Sequence, residues 1–105
     1  MTAQRRRRLA AVEEVPLQEG RSVLVDGERV ALFRCSDGFR AISARCPHAG
    51  GPLADGIVAG RTVTCPLHGR VVDLETGSVD DSEQGVRVYK VEVDSGSVFL
   101  EEDSG

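Results

Sequence analysis

The sequence predicts an all-β fold, an antiparallel sandwich or barrel with two loops extending from a smaller sheet. Three observations support this. Turn signals recur about every 8–12 residues, the segments between them are short and rich in Val, Ile, Leu and Phe, and helix-forming stretches are scarce. Ser22-Val23-Leu24-Val25 opens the pattern and runs into Asp26-Gly27, a strong hairpin signal. Arg29 to Arg34 forms the return strand, and Asp37-Gly38 turns the chain again. Phe39-Arg40-Ala41-Ile42-Ser43 alternates apolar and polar residues, as a half-buried strand does. Arg61 to Thr64 and Val71 to Leu74 are the next strands. Val86 to Val93 is the longest alternating stretch, and its valines are expected on one side. Ser95-Gly96 then turns into Ser97 to Leu100. At most one helical turn is expected, near Val12 to Leu17, and Tyr89 and Phe99 are expected to pack in the core or at its rim.

The chemistry is concentrated in two short segments between these strands. The first is Cys46-Pro47-His48-Ala49-Gly50-Gly51-Pro52-Leu53 and the second is Cys65-Pro66-Leu67-His68-Gly69. Each offers one thiolate and one imidazole. The chain between the pairs is long enough for a hairpin that returns the second loop to the first. Cys2His2 is the donor set of a Rieske-type [2Fe–2S] cluster, with two cysteines on one iron and two histidines on the other. Gly50, Gly51 and Gly69 allow backbone N–H groups to come close to negatively charged sulfurs. Pro47 and Pro66 each fix a φ angle and stiffen the loop. A Cys/His quartet can also hold structural zinc, although zinc sites usually pair like ligands as Cys-x2–4-Cys or His-x3–5-His. Nucleophilic Cys–His catalysis needs one pair and leaves the other unexplained, so no catalytic residue is assigned.

On these residues the chain resembles the Rieske ferredoxin-like family from about Leu9 to Leu100. The resemblance implies that Cys46, His48, Cys65 and His68 ligate the iron of the cluster, with the imidazoles on the outer iron. High-potential members carry an extra disulfide-forming cysteine in each loop and a Ser and a Tyr that hydrogen-bond the cluster. The matching positions here are Gly51, Leu67, Arg70 and Val72. Fewer donors to the sulfurs stabilise the reduced form less, so a potential near the low end, on the order of −150 mV, is expected.

Two subfamilies are similar: the small subunit of NAD(P)H-dependent assimilatory nitrite reductase, and the ferredoxin component of aromatic-ring dioxygenases. Both share Gly56 to Gly60, Val63 to Gly69 and Asp73-Leu74-Glu75-Thr76-Gly77. The ferredoxins usually have a proline-rich stretch after Thr76-Gly77. The segment here, Asp80 to Tyr89, contains no proline, which is more similar to the nitrite reductase subunit. Either role implies an electron carrier without catalysis of its own. Its partner would be a flavin-containing reductase, a large sirohaem nitrite reductase subunit or a terminal oxygenase. Leu53, Pro52 and Leu67 are expected to form an apolar collar around the imidazole edge. A redox-sensing module is the alternative of another class.

The domain is expected to span residues 9–100, between a disordered basic arm (1–8) and an acidic tail (101–105). The net charge of −4 argues against nucleic acid and suits docking on a basic partner surface. No apolar run approaches the length needed to span a membrane. Arg5-Arg6-Arg7-Arg8 is followed by too short an apolar segment to be a twin-arginine signal. Cys35 is left over as a free thiol, and an unpaired cysteine is consistent with a reducing compartment. The cytoplasm is the expected location.

Overall fold

The fold is described here from a computed structural model for residues 6–25, 27–44, 52–66, 69–80 and 85–101. Among these residues, nine strands form two antiparallel sheets. The larger has the order β1-β9-β8-β4-β3-β2, built from β1 (Arg6–Ala11), β2 (Gly20–Val25), β3 (Glu28–Cys35), β4 (Gly38–Ser43), β8 (Val88–Asp94) and β9 (Ser97–Glu101). The smaller has the order β5-β6-β7, built from β5 (Ile57–Ala59), β6 (Thr62–Thr64) and β7 (Val71–Asp73). The two edges of the larger sheet, β1 and β2, touch, so the sheet curls into a nearly closed barrel. The one helical turn near Val12 is a 3-10 turn, Val12–Glu14, and a second covers Leu53–Asp55.

The centre of the molecule is β3. Its apolar run, Val30 to Phe33, is buried on both faces, as expected of a continuous apolar strand. Val30 and Leu32 enter a core with Leu9, Ala10, Val15, Ala41, Val98 and Leu100, inside the barrel. Ala31, Phe33 and Cys35 enter a second core with Ile42, Ala44, Leu53, Val63, Cys65, Val72 and Leu74, under the smaller sheet. Side chains alternate faces along a strand, so one strand serves both cores. Neighbouring β4 does the same with Ala41 and Ile42.

Four expectations change. The basic arm is strand from Arg6 onward: Arg6, Arg7 and Arg8 pair with Glu101, Leu100 and Phe99 of β9. Backbone pairing is indifferent to side-chain charge, and charges suit an edge strand because they discourage further pairing. A register shift between Arg8 and Ala10 lets both Leu9 and Ala10 be buried, which anchors the strand. The same pairing carries Glu101 into β9 rather than into a tail. The valines of β8 do not share one side. Tyr89 and Val91 pack on the barrel core, whereas Val88 and Val93 are exposed. Val88 and Val91 are an odd number of residues apart, so a period of two puts them on opposite faces, while Val93 shares the side of Val91 but lies at the exposed end of the strand.

The turn at Asp37 is displaced by one residue. Cys35 pairs with Gly38, which leaves Ser36 and Asp37 as the turn. Cys35 is thereby a buried strand residue. Desolvation, followed by the nearby Asp37 carboxylate, pushes its thiol pKa up against the opposing pull of Arg40, so it is an unreactive packing residue.

Candidate functional site

Strand register closes the base of each Cys/His loop. At the second loop, Thr64 of β6 pairs with Val71 of β7. The Cys65 N–H donates to the Arg70 carbonyl at 2.8 Å, and the Gly69 N–H donates to the Cys65 carbonyl at 2.9 Å. The result is a tight turn with Cys65 at its foot, 1 % exposed and free of any disulfide. The glycine at 69 has a conformational use as well as the expected one. Its N–H is engaged inside the turn, and its φ of +69° is what requires glycine.

At the first loop, β4 ends at Ser43, whose N–H donates to the Arg87 carbonyl at 2.9 Å. The Ala44 N–H donates to the Arg29 carbonyl at 3.2 Å. Leu53 returns the chain by donating its N–H to the Ala44 carbonyl at 2.9 Å. Cys46, Pro47, His48, Gly50, Gly51, Leu67 and His68 lie outside the described residues.

The feet of the two loops share one core. Ala44 and Leu53 from the first, and Cys65 from the second, belong to the same buried cluster with Phe33, Ile42, Val63 and Val72. Between them, the hairpin β5–β6 returns the chain, with Ala59 opposite Thr62 and Ile57 opposite Thr64. Gly56 opens it where no side chain fits: a Cβ there would collide with the Thr64 carbonyl and come within 2.7 Å of Val63 Cγ2. The β7 end is fixed by Asp73, whose carboxylate accepts the N–H groups of Glu75 at 2.8 Å and Thr76 at 3.1 Å. Those two hydrogen bonds, the Glu75 one foremost, hold its carboxyl pKa below the usual range.

The expected apolar collar is only partly supported. Leu53 is fully buried, a core residue rather than a docking residue, while Pro52 is exposed. Ile57, which the sequence reading did not single out, is 74 % exposed on the strand opposite Thr64. Alternation along β5 was the available signal, since Val58 is the inward residue of that strand.

The donor set fits an iron–sulfur group. Cys65 presents a thiol from a dry foot, and a buried thiolate is stable only with positive charge beside it. At the positions where high-potential relatives place hydrogen-bond donors, Val72 is buried and carries no polar side-chain atom, and the Arg70 Nη1 donates to the Asp80 carbonyl at 2.9 Å. Among the described residues, no helix is long and apolar enough to cross a membrane.

Comparison with known proteins gives the same picture. The family model for the Rieske-like [2Fe-2S] domain matches residues 7–101. A putative NADH-dependent nitrite reductase small subunit from Mycobacterium tuberculosis superposes with a TM-score of 0.88 at 28% identity, covering 99% of this chain and 100% of that one. The ferredoxin of carbazole 1,9a-dioxygenase from Nocardioides aromaticivorans superposes with a TM-score of 0.84 at 29% identity, covering 90% and 95% of the two chains. The anthranilate 1,2-dioxygenase ferredoxin subunit of Burkholderia cepacia is 30% identical over 92 residues, 86% of this chain and 85% of its own length. The chain also matches human apoptosis-inducing factor 3 at 26% identity, but spans only 15% of that protein.

Proposed function

The chain belongs to the Rieske-like [2Fe-2S] domain family, an electron-transfer fold, and we propose that Cys46 and Cys65 hold one iron of its cluster while His48 and His68 hold the other. The observation that carries this is the shared foot of the two loops. Ala44, two residues before Cys46, and Cys65 itself are set in one buried cluster. When bound, the cluster supplies one-electron exchange.

The protein's own residues supply the setting. Leu53, Val63, Val72 and Leu74 keep water from the cysteine side, since all four are fully buried. The closed turn from Cys65 to Gly69 limits how far the second loop can relax when charge changes. With Val72 and Arg70 at the positions matched to the tyrosine and serine of high-potential members, the potential falls near the low end, on the order of −150 mV. The exit for the electron is the imidazole edge of His48 and His68.

The finer role we assign is the small subunit of an NAD(P)H-dependent nitrite reductase, working against a large sirohaem subunit in the cytoplasm. The near-complete coverage of the Mycobacterium tuberculosis protein supports it, as does the proline-free segment from Asp80 to Tyr89. A second reading, the ferredoxin of a ring dioxygenase with a flavin-containing reductase and a terminal oxygenase, is supported by the identity to the anthranilate dioxygenase subunit. The buried free thiol of Cys35 supports a reducing compartment.

The test has two stages. Purified protein should be reddish-brown, contain two irons and two sulfides per chain, as the cluster type requires, and bleach with dithionite. Alanine at any of the four ligands should remove the colour. Mixed with a sirohaem subunit and NADH it should restore nitrite reduction, and with a ring-dioxygenase oxygenase and reductase it should not. The reverse outcome selects the ferredoxin reading. Colourless protein that holds zinc in place of iron overturns both.

A further inference from the structure

We propose that Tyr89 and Glu28 form a strap across the end of β4 that positions the first Cys/His loop. β4 lies between β3 and β8 in the larger sheet. Glu28 is the first residue of β3 and Tyr89 the second of β8, so the two flank β4 from opposite sides. The Tyr89 hydroxyl donates to Glu28 Oε2 at 3.2 Å. The contact crosses two strand spacings of about 4.8 Å each and runs diagonally, since Tyr89 is level with Ala41 and Leu32 while Glu28 lies four residues further along β3. Only a long side chain with a polar tip can make that span, and tyrosine meets the requirement with a rigid ring.

What lies beneath the strap is the exit of β4. Tyr89 pairs with Ala41, two residues before the strand ends at Ser43, and Ser43 approaches the phenol oxygen. The same two strands grip the backbone there: Arg87, preceding β8, accepts the Ser43 N–H, and Arg29 of β3 accepts the Ala44 N–H. Each gripping residue is one or two positions from a strap residue. Loosening of β8 from β4 would break the first of these hydrogen bonds and loosening of β3 from β4 the second, and Ala44 is the anchor to which Leu53 closes the loop.

The surroundings keep the contact intact. Arg87 stacks on the Tyr89 ring, its Cζ 4.9 Å from the centroid. Glu28 and Tyr89 themselves, with Arg29, Ser43, Ala44 and Arg87, line an open cavity of about 460 Å³. Burial and the adjacent Glu28 carboxylate push the phenol pKa up against the pull of Arg87, so the hydroxyl keeps its proton and goes on donating.

The inference rests on Cys46 being a ligand, because Cys46 is the residue the anchored backbone delivers. Its experiment reads the anchor directly. Hydrogen exchange followed by mass spectrometry on the iron-loaded protein compares the segments 41–53 and 62–74. Tyr89→Phe keeps the ring and its stacking and removes only the hydroxyl. It should speed exchange in 41–53 about 3- to 10-fold, in line with the loss of one hydrogen bond, and leave 62–74 unchanged. Iron release to a chelator should accelerate by a similar factor. Glu28→Ala should reproduce both effects, and Glu28→Gln, which retains an acceptor oxygen, should largely restore the wild-type values.

Equal acceleration in both segments would show a general loss of stability and overturn the strap, as would no change in 41–53. Failure of the ligand assignment is distinct: Cys46→Ala would then keep its iron, whatever the exchange pattern shows.

Discussion

The two cores of this protein differ in what they enclose. The barrel core, built from Leu9, Val15, Val30, Leu32, Ala41, Val98 and Leu100, is aliphatic and surrounded by strands that pair over five or six residues, except at the two-residue β4–β8 junction. The second core, around Phe33, Ile42, Leu53, Val63, Val72 and Leu74, includes Cys65, the only described residue of the proposed ligand quartet. Its smaller sheet has three strands of three residues each, too few to be stable alone. It is held because β3 and β4 give it one face while the barrel takes the other. The difference teaches where the electron-transfer site gets its rigidity: from a barrel it does not belong to.

Substitutions can separate the two regions. The largest effect is expected from Cys65→Ala, which should leave under about a tenth of the wild-type iron, because a two-iron cluster lacking one of its four protein ligands is not retained. The far-ultraviolet circular dichroism of the barrel should survive; its collapse would mean that the cluster, not β3, holds the cores together. Next is a matched pair. Leu53→Ala and Leu32→Ala both empty fully buried sites, and each should cost about 2–5 kcal/mol in denaturant unfolding. At low denaturant only Leu53→Ala should speed iron release, since only it loosens the base of a loop. Similar release rates for the two would erase the distinction between the cores.

Smaller again is Gly69→Ala. Its left-handed φ costs about 1–2 kcal/mol for a side-chain-bearing residue, and the cost should appear as faster iron loss and a lower midpoint for the second core. The smallest effect belongs to Asp73. Its folded pKa is depressed, so its contribution is present above the unfolded value of about 3.9 and is lost as pH falls through the folded one. Asp73→Asn should therefore lower stability at neutral pH and flatten the acid limb, so that the variant and wild-type curves converge as pH falls below about 4. A variant curve parallel to wild type at every pH would assign the turn to backbone geometry alone.

Much of the fold could be read from local sequence. Asp26-Gly27 and Ser95-Gly96 mark hairpins because few dipeptides fit such turns, and the register joins Val25 to Glu28 and Asp94 to Ser97 as those signals require. The arginines at 6–8 misled because charge says nothing about backbone pairing: a partner strand more than eighty residues away decides it. Leu53 misled for a related reason, since an apolar residue in a glycine-rich loop looks the same whether it faces solvent or a core.

The sequence by itself pointed to the chemistry of the site, because donor identity is a property of side chains: two Cys/His loops of unlike donors match the donor set of a Rieske-type iron–sulfur cluster. Only the tertiary structure decided which residues stand behind those loops. The sharing of β3 between two cores, and the reach of Tyr89 over β4 to Glu28, depend on contacts between strands far apart in the chain, and no local pattern of residues encodes them.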